Sequence, residues 1–255
     1  MRIVALLLVG WSLLARAEEV VNPQVYLLIG QSNMAGRAPI GEAEKEPLAR
    51  CLLLNANGEW EPASNPLNRF STIRKGLGMQ KVNPGYSFAK KLLAADKTLT
   101  VGLVVNAKGG SSIRQWEKGD KFYDEAVRRT QQAMKKGELA GVLWHQGESD
   151  QNDAEYLAKL KELIANLRKD LGSPELPFVA GQVNKVELIN KQVARLPAEV
   201  PLTAFASSEG LTCMDRWHFD AKSMKTLGER YADAILNLRK NSGGAGRVLQ
   251  PAGSR

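Results

Sequence analysis

An α/β fold, with a mostly parallel sheet covered by helices on both faces, is predicted by three observations. Apolar, β-rich runs alternate with amphipathic helical stretches along most of the 255 residues. The runs are apolar throughout rather than every second residue, as befits strands buried on both faces. The intervening stretches repeat apolar residues at helical spacing, as crossover helices must. The length suits one domain with one well-buried core.

The elements follow in order. Arg2, an apolar stretch from Ile3 to Leu14 and the small-x-small triplet Ala15-Arg16-Ala17 read as a cleaved signal peptide over residues 1–17. That stretch is short for a bilayer span, so cleavage is preferred to anchoring, and the protein is expected to be exported to the periplasm or the medium. No stable membrane insertion is expected after cleavage. Residues 18–240 form the expected domain. Its strand candidates are 25–30, 51–54, 101–107, 141–145, 177–183 and 202–207. Asn83-Pro84 supplies a cap followed by proline and opens a helix over 85–95. Tyr156, Leu157, Leu160, Leu163, Ile164, Leu167 and Leu171 make one stripe of a helix over 153–171. Met224, Leu227, Tyr231, Ile235 and Leu238 do the same over 223–238. Residues 37–81 hold Pro39, Pro47, Pro62 and Pro66 and read as an irregular segment shaping a pocket rim. Residues 241–255, with Gly, Ser and Pro and no periodicity, read as a flexible tail.

The formal charge of +8 comes from lysines and arginines spread over helical faces. With no dense basic block and no aromatic-interleaved stripe, nucleic-acid binding is set aside. A long-range attraction for acidic polysaccharides remains. Cys51 and Cys213 survive processing, and export permits a disulfide, though two separate buried thiols fit equally.

Four short blocks end or follow the expected strands. In Gly30-Gln31-Ser32-Asn33-Met34-Ala35-Gly36, Gly30 lets the backbone turn sharply and puts Ser32 at the carboxyl edge of the sheet. Met34 stands where the second glycine of a G-x-S-x-G elbow belongs. Alone, the block is an ordinary turn in which Ser32 or Asn33 caps a helix. Asn106 to Ser112 contains Gly109-Gly110, whose backbone N–H can approach a ligand closely, and Trp116 follows as either a sugar platform or a packed loop residue. Trp144 to Asp150 holds His145, Gln146, Glu148 and Asp150. A metal site there is disfavoured, because the chain has only two histidines and no second ligand pair. Glu148 reads as a carboxylate bonded to loop backbone and His145 as a structural histidine, while the Gln146 amide suits a developing oxyanion. In Asp215-Arg216-Trp217-His218-Phe219-Asp220, three residues separate a carboxylate from an imidazole, so a short turn can join them. The plain alternative is a loop capping the final helix. Since a serine needs a base to act as a nucleophile, Ser32, His218 and Asp215 form a candidate triad.

Together the four blocks resemble the SGNH hydrolase superfamily, in its sialate O-acetylesterase-like branch that includes carbohydrate esterase family 6. The resemblance spans most of the chain in the right order. It implies a three-layer α/β/α, flavodoxin-like fold, a Ser32 nucleophile and the Asp215–His218 pair. It places oxyanion donors at the N–H of Ser32, the N–H of Gly110 and the side chain of Gln146, where the wider superfamily uses asparagine. Gln31, Asn33, Gly109, His145 and Glu148 surround these as supporting residues. The expected activity is removal of O-acetyl groups from a carbohydrate by a serine esterase, with no metal or organic cofactor. Activity is expected to fall in acid, where His218 no longer serves as base. A non-catalytic sugar-binding protein and an esterase or thioesterase for non-sugar acyl groups are the alternatives. Xylan, pectin and sialic acid are not ranked.

Overall fold

The computed structural model describes residues 22–245, so the expected signal peptide lies outside the described residues. Among these residues seven strands form one sheet: β1 (Gln24–Gly30), β2 (Cys51–Leu54), β3 (Trp60–Pro62), β4 (Val101–Val105), β5 (Glu138–His145), β6 (Phe178–Gly181) and β7 (Thr203–Ala206). Their order is β3-β2-β4-β1-β5-β6-β7, and every pairing is parallel except β2 with β3. The helices are α1 (Ser32–Ala35), α2 (Gly85–Ala95), α3 (Lys121–Met134), α4 (Tyr156–Asp170), α5 (Glu187–Glu199) and α6 (Ala221–Ala245).

The side-chain alternation of β1 divides the core in two. Tyr26 and Leu28 enter the cluster under α2 and α6, and Val25, Leu27 and Ile29 enter the one under α3, α4 and α5. Both faces of the sheet are therefore covered, giving three layers. Each expected strand is present within a few residues of its limits, and α2 matches its expected span. Asn83 Oδ1 accepts the N–H of Gly85 at 2.9 Å, so the asparagine does cap that helix.

Three elements carried no distinct signal. β3 is a three-residue edge strand ending in Pro62, reached through a turn in which Asn55 Oδ1 accepts the N–H of Asn57 and Glu59. It is too short for an apolar run. The buried face of α3 is Tyr123, Ala126, Arg129, Thr130 and Ala133, a face without a leucine or isoleucine stripe. α5 buries Ile189, Val193 and Leu196 and tolerates Pro197 near its end. The final helix reaches Ala245, so residues 241–245, expected to begin the tail, are helical, and residues 246–255 lie outside the described residues. Cys51 and Cys213 are free thiols, one in β2 and one in the loop before α6, so the disulfide alternative does not hold.

β1 and β5 lie side by side, and the chain leaves their carboxyl ends in opposite directions across the sheet. Such a switch point leaves a crevice above the sheet. Ser32 follows β1, Gly109-Gly110 follows β4, and Glu148 follows β5, so three of the four sequence blocks converge there.

Candidate active site

The turn after β1 is set by close backbone approach. Gly30 has φ +133°, and a Cβ there would run into the carbonyl of His145. The N–H of Gln31 instead donates to that carbonyl at 2.8 Å, and Lys108 N–H donates to Gly30 O at 3.0 Å. The serine is thereby fixed to both neighbouring strands. It opens α1, and its N–H, in the first turn, has no acceptor among the described residues.

The loop before α6 supplies the other two side chains. His218 Nε2 lies 3.0 Å from Ser32 Oγ, and His218 Nδ1 lies 2.7 Å from Asp215 Oδ2. Asp215 Oδ1 accepts the N–H of Trp217 and of His218, each at 2.8 Å. Burial pushes the Asp215 carboxyl up, but the bond from His218 and those two backbone N–H groups outweigh it and hold it at about 2. The carboxylate stays ionised and aimed although its side chain is 53% exposed. Asp220, next in the loop, caps α6 by accepting the N–H of Ser223 at 2.8 Å. Capping and the serine contact thus fall to different residues of one block.

Asn33 fastens this loop to the serine turn. Its Nδ2 donates to Trp217 O at 3.0 Å and its Oδ1 accepts Phe219 N–H at 3.2 Å, one bond on each side of His218. Nδ2 also donates to Glu148 Oε1 at 2.8 Å. Glu148, 4% exposed, is pushed up to about 7 by burial, against the opposing pull of its backbone and Asn33 hydrogen bonds. Its role is therefore side-chain bracing of Asn33. His145 is fully buried. Tyr231 donates its hydroxyl proton to Trp144 O at 2.6 Å, so the imidazole Nδ1 donates to the tyrosine oxygen at 3.1 Å. Burial pushes this histidine down to about 3, which keeps it neutral and structural.

The expected oxyanion donor at Gln146 needs correction. The residue is fully buried, and its Nε2 donates to Gln31 Oε1 at 3.1 Å, to Ser111 O at 3.0 Å and to the Asp150 carboxylate. Those acceptors draw it beneath the cleft floor. Gln31 Oε1 also accepts the N–H groups of Gly147 and Ser149, which fixes its amide orientation. Gln31 lines the cleft, and its Nε2 has no protein partner among the described residues. Gly110, at φ +74°, likewise lines the cleft with its N–H unclaimed by any described acceptor. Trp116 is packed edge-on against Trp144 with its Nε1 donating to Ser111 Oγ at 3.0 Å, so it is a loop-packing residue.

The cleft holds about 300 Å³ and is lined by Ser32 and His218 together with Arg37, Lys75, Met79, Ser149 and Trp217. The last five were not singled out in the sequence. Trp217 stood inside a quoted block, with the Arg216 guanidinium 4.5 Å from its ring centre, and Arg37 directly follows the serine block. Among the described residues no group of three or more His, Cys, Asp or Glu is placed to hold a metal ion.

Residues 22–237 match the family model described as carbohydrate esterase, sialic acid-specific acetylesterase. A protein of Arabidopsis thaliana described as a probable carbohydrate esterase is 34% identical over 244 residues, covering 84% of this chain and 90% of the relative. An X-ray structure of an Arabidopsis thaliana protein superposes with a TM-score of 0.78 at 30% identity, covering 85% of this chain and 99% of that one. The crystal structure of NanS shares the fold alone, with a TM-score of 0.68 at 16% identity over 87% of this chain and all (100%) of the other. The hydrogen-bonded serine, histidine and aspartate thus sit in a chain that belongs to the sialic acid-specific acetylesterase family of carbohydrate esterases.

Proposed function

We propose that this carbohydrate esterase is an exported serine esterase that removes O-acetyl groups from a sugar through Ser32, His218 and Asp215. The observation that carries this reading is the 3.0 Å approach of His218 Nε2 to Ser32 Oγ, with Asp215 on the other ring nitrogen. His218 takes the hydroxyl proton as Ser32 Oγ bonds to the acetyl carbonyl carbon. Asp215 fixes the tautomer and stabilises the imidazolium. The N–H groups of Ser32 and Gly110 point a positive pole at the oxyanion, and the amide of Gln31 replaces Gln146 as the third donor. Each such donor contributes about 2.7–4 kcal/mol in measured cases. Collapse of the intermediate breaks the bond to the sugar oxygen, which leaves with the proton from His218. Water, deprotonated by the same imidazole, then releases acetate from Ser32. The chemistry closes on these side chains and water.

Ser32→Ala is the direct test, read as acetate release from p-nitrophenyl acetate and from acetylated sugars. The variant is expected to lose turnover at least about 10³-fold while its circular dichroism and unfolding midpoint stay unchanged. Near-wild-type turnover would reject the proposed nucleophile.

A further inference from the structure

Arg37 presents one guanidinium nitrogen, Nη2, that neither the fold nor the acyl transfer uses. Its Nη1 donates to Gly36 O at 2.7 Å and to Met79 O at 3.0 Å, which fixes the guanidinium plane. Its Nη2 makes no hydrogen bond or ion pair among the described residues and lies against Gly109 on the wall of the reactive cleft. A Cβ on Gly109 would stand 2.5 Å from Nη2 and 3.7 Å from the Ser32 Cβ, so the glycine leaves the room the guanidinium fills beside the serine. Lys75 lines the same cleft, with Nζ beside Gly110 and no acidic partner among the described residues. The one carboxyl group in the described lining, Glu148, is turned to Asn33 and half protonated near neutrality.

Arg37 is half-buried, and a guanidinium partly removed from water without a counter-charge is disfavoured unless something offsets the loss. Burial lowers the Arg37 pKa from its ordinary value, which reports that cost. A planar carboxylate is the anion that a fixed guanidinium edge matches best. We infer that Arg37, assisted by Lys75, forms an anion subsite that binds a carboxylate carried by the acetylated sugar. The inference rests on the esterase reading for the identity of the sugar ester, though not for the binding of the anion. The carboxylate is that of a uronic acid residue or of a sialic acid. The excess of lysine and arginine over aspartate and glutamate favours encounter with either.

The test compares matched pairs: acetylated methyl glucuronoside against its carboxamide, and acetylated sialic acid against its carboxamide. For at least one pair, wild-type kcat/KM is expected to favour the acid by about tenfold or more, the worth of one charge-assisted hydrogen bond. That ratio should shrink as salt is raised. Arg37→Gln should bring it close to one, and Lys75→Gln should lower it by about threefold. Gly109→Ala keeps the charge but expels the guanidinium, and should also collapse the ratio. The pair that responds identifies the source of the carboxylate. A wild-type ratio near one in both pairs, or a ratio untouched by Arg37→Gln, overturns the subsite while leaving the esterase standing. Calorimetric binding of free glucuronate and N-acetylneuraminate, each against its amide, separates the two ideas. If no acetate is released from any substrate yet an acid binds tighter than its amide, and Arg37→Gln removes that preference, the esterase fails and the subsite stands.

Discussion

Ser32, Asn33 and Gln31 are three neighbours with three separate tasks, and the difference lies in what each side chain touches. Ser32 meets the imidazole, Asn33 brackets the imidazole's own backbone, and Gln31 is turned toward the cleft by N–H groups from the β5 loop. Asn33→Ala removes both bracketing bonds and strands the buried Glu148 carboxyl. A misplacement of about 1 Å at a reacting group costs roughly 10²-fold. We expect kcat on p-nitrophenyl acetate to fall by about that factor, with KM changed far less, as steady-state kinetics will read. Unchanged kcat would show that Asp215 and the α6 cap hold His218 without Asn33. The serine turn and the Asp-x-x-His pair were legible because their chemistry depends on residue type and short spacing. The inward turn of Gln146 was not, since its three acceptors come from distant parts of the chain or from its own loop after folding.

At the scale of elements, the histidine loop is placed by α6, and α6 is placed by α2. The two helices approach closely at Gly228, where a Cβ would collide with Ser87 Oγ and Pro84 O. Gly228→Ala sets two effects against each other. Alanine favours a helix by about 1 kcal/mol, while overpacking costs about 1–3 kcal/mol. Because one colliding atom is backbone, the clash should prevail, with a net loss of up to about 2 kcal/mol in urea unfolding. A stabilised variant would mean that the helices separate freely. The sequence showed α2 through its Asn83-Pro84 cap, and α4 and α6 through their leucine-, methionine- and aromatic-rich stripes. It left α3 unmarked, because Arg129 lies in its buried face with Nη2 donating to Leu54 O at 2.8 Å. An arginine there reads as solvent until the β2 carbonyl that receives it is known.

For the whole molecule, one buried acid ties stability to pH. Glu148 rises from 4.5 to about 7 on folding, mainly because burial penalises its charge. The folded state therefore keeps a proton that the unfolded chain has already lost. That contribution is complete below pH 4.5 and disappears as pH climbs to about 7. The loss is on the order of 3 kcal/mol. Glu148→Gln keeps an acceptor for Asn33 and has no charge to bury. Its unfolding free energy should decline less than that of the wild type between these limits, giving a relative gain of a few kcal/mol at pH 8. Parallel denaturation curves at pH 4.5, 6 and 8 test this, and identical slopes would place the proton elsewhere.

The sequence by itself determined the layers, because strands apolar on both sides can persist only beneath two sets of helices. It also determined the chemistry available at each loop, since a hydroxyl, an imidazole and a carboxylate keep their reactivity wherever they are found. Tertiary structure alone decided which groups face the cleft. Strand order brought the β1, β4 and β5 loops to one crevice, and the α6 packing delivered His218 to Ser32 across 186 positions. It also turned Gln146 inward and Arg37 outward. Orientation of that kind depends on acceptors and empty space supplied by remote segments, which no local pattern of residues encodes.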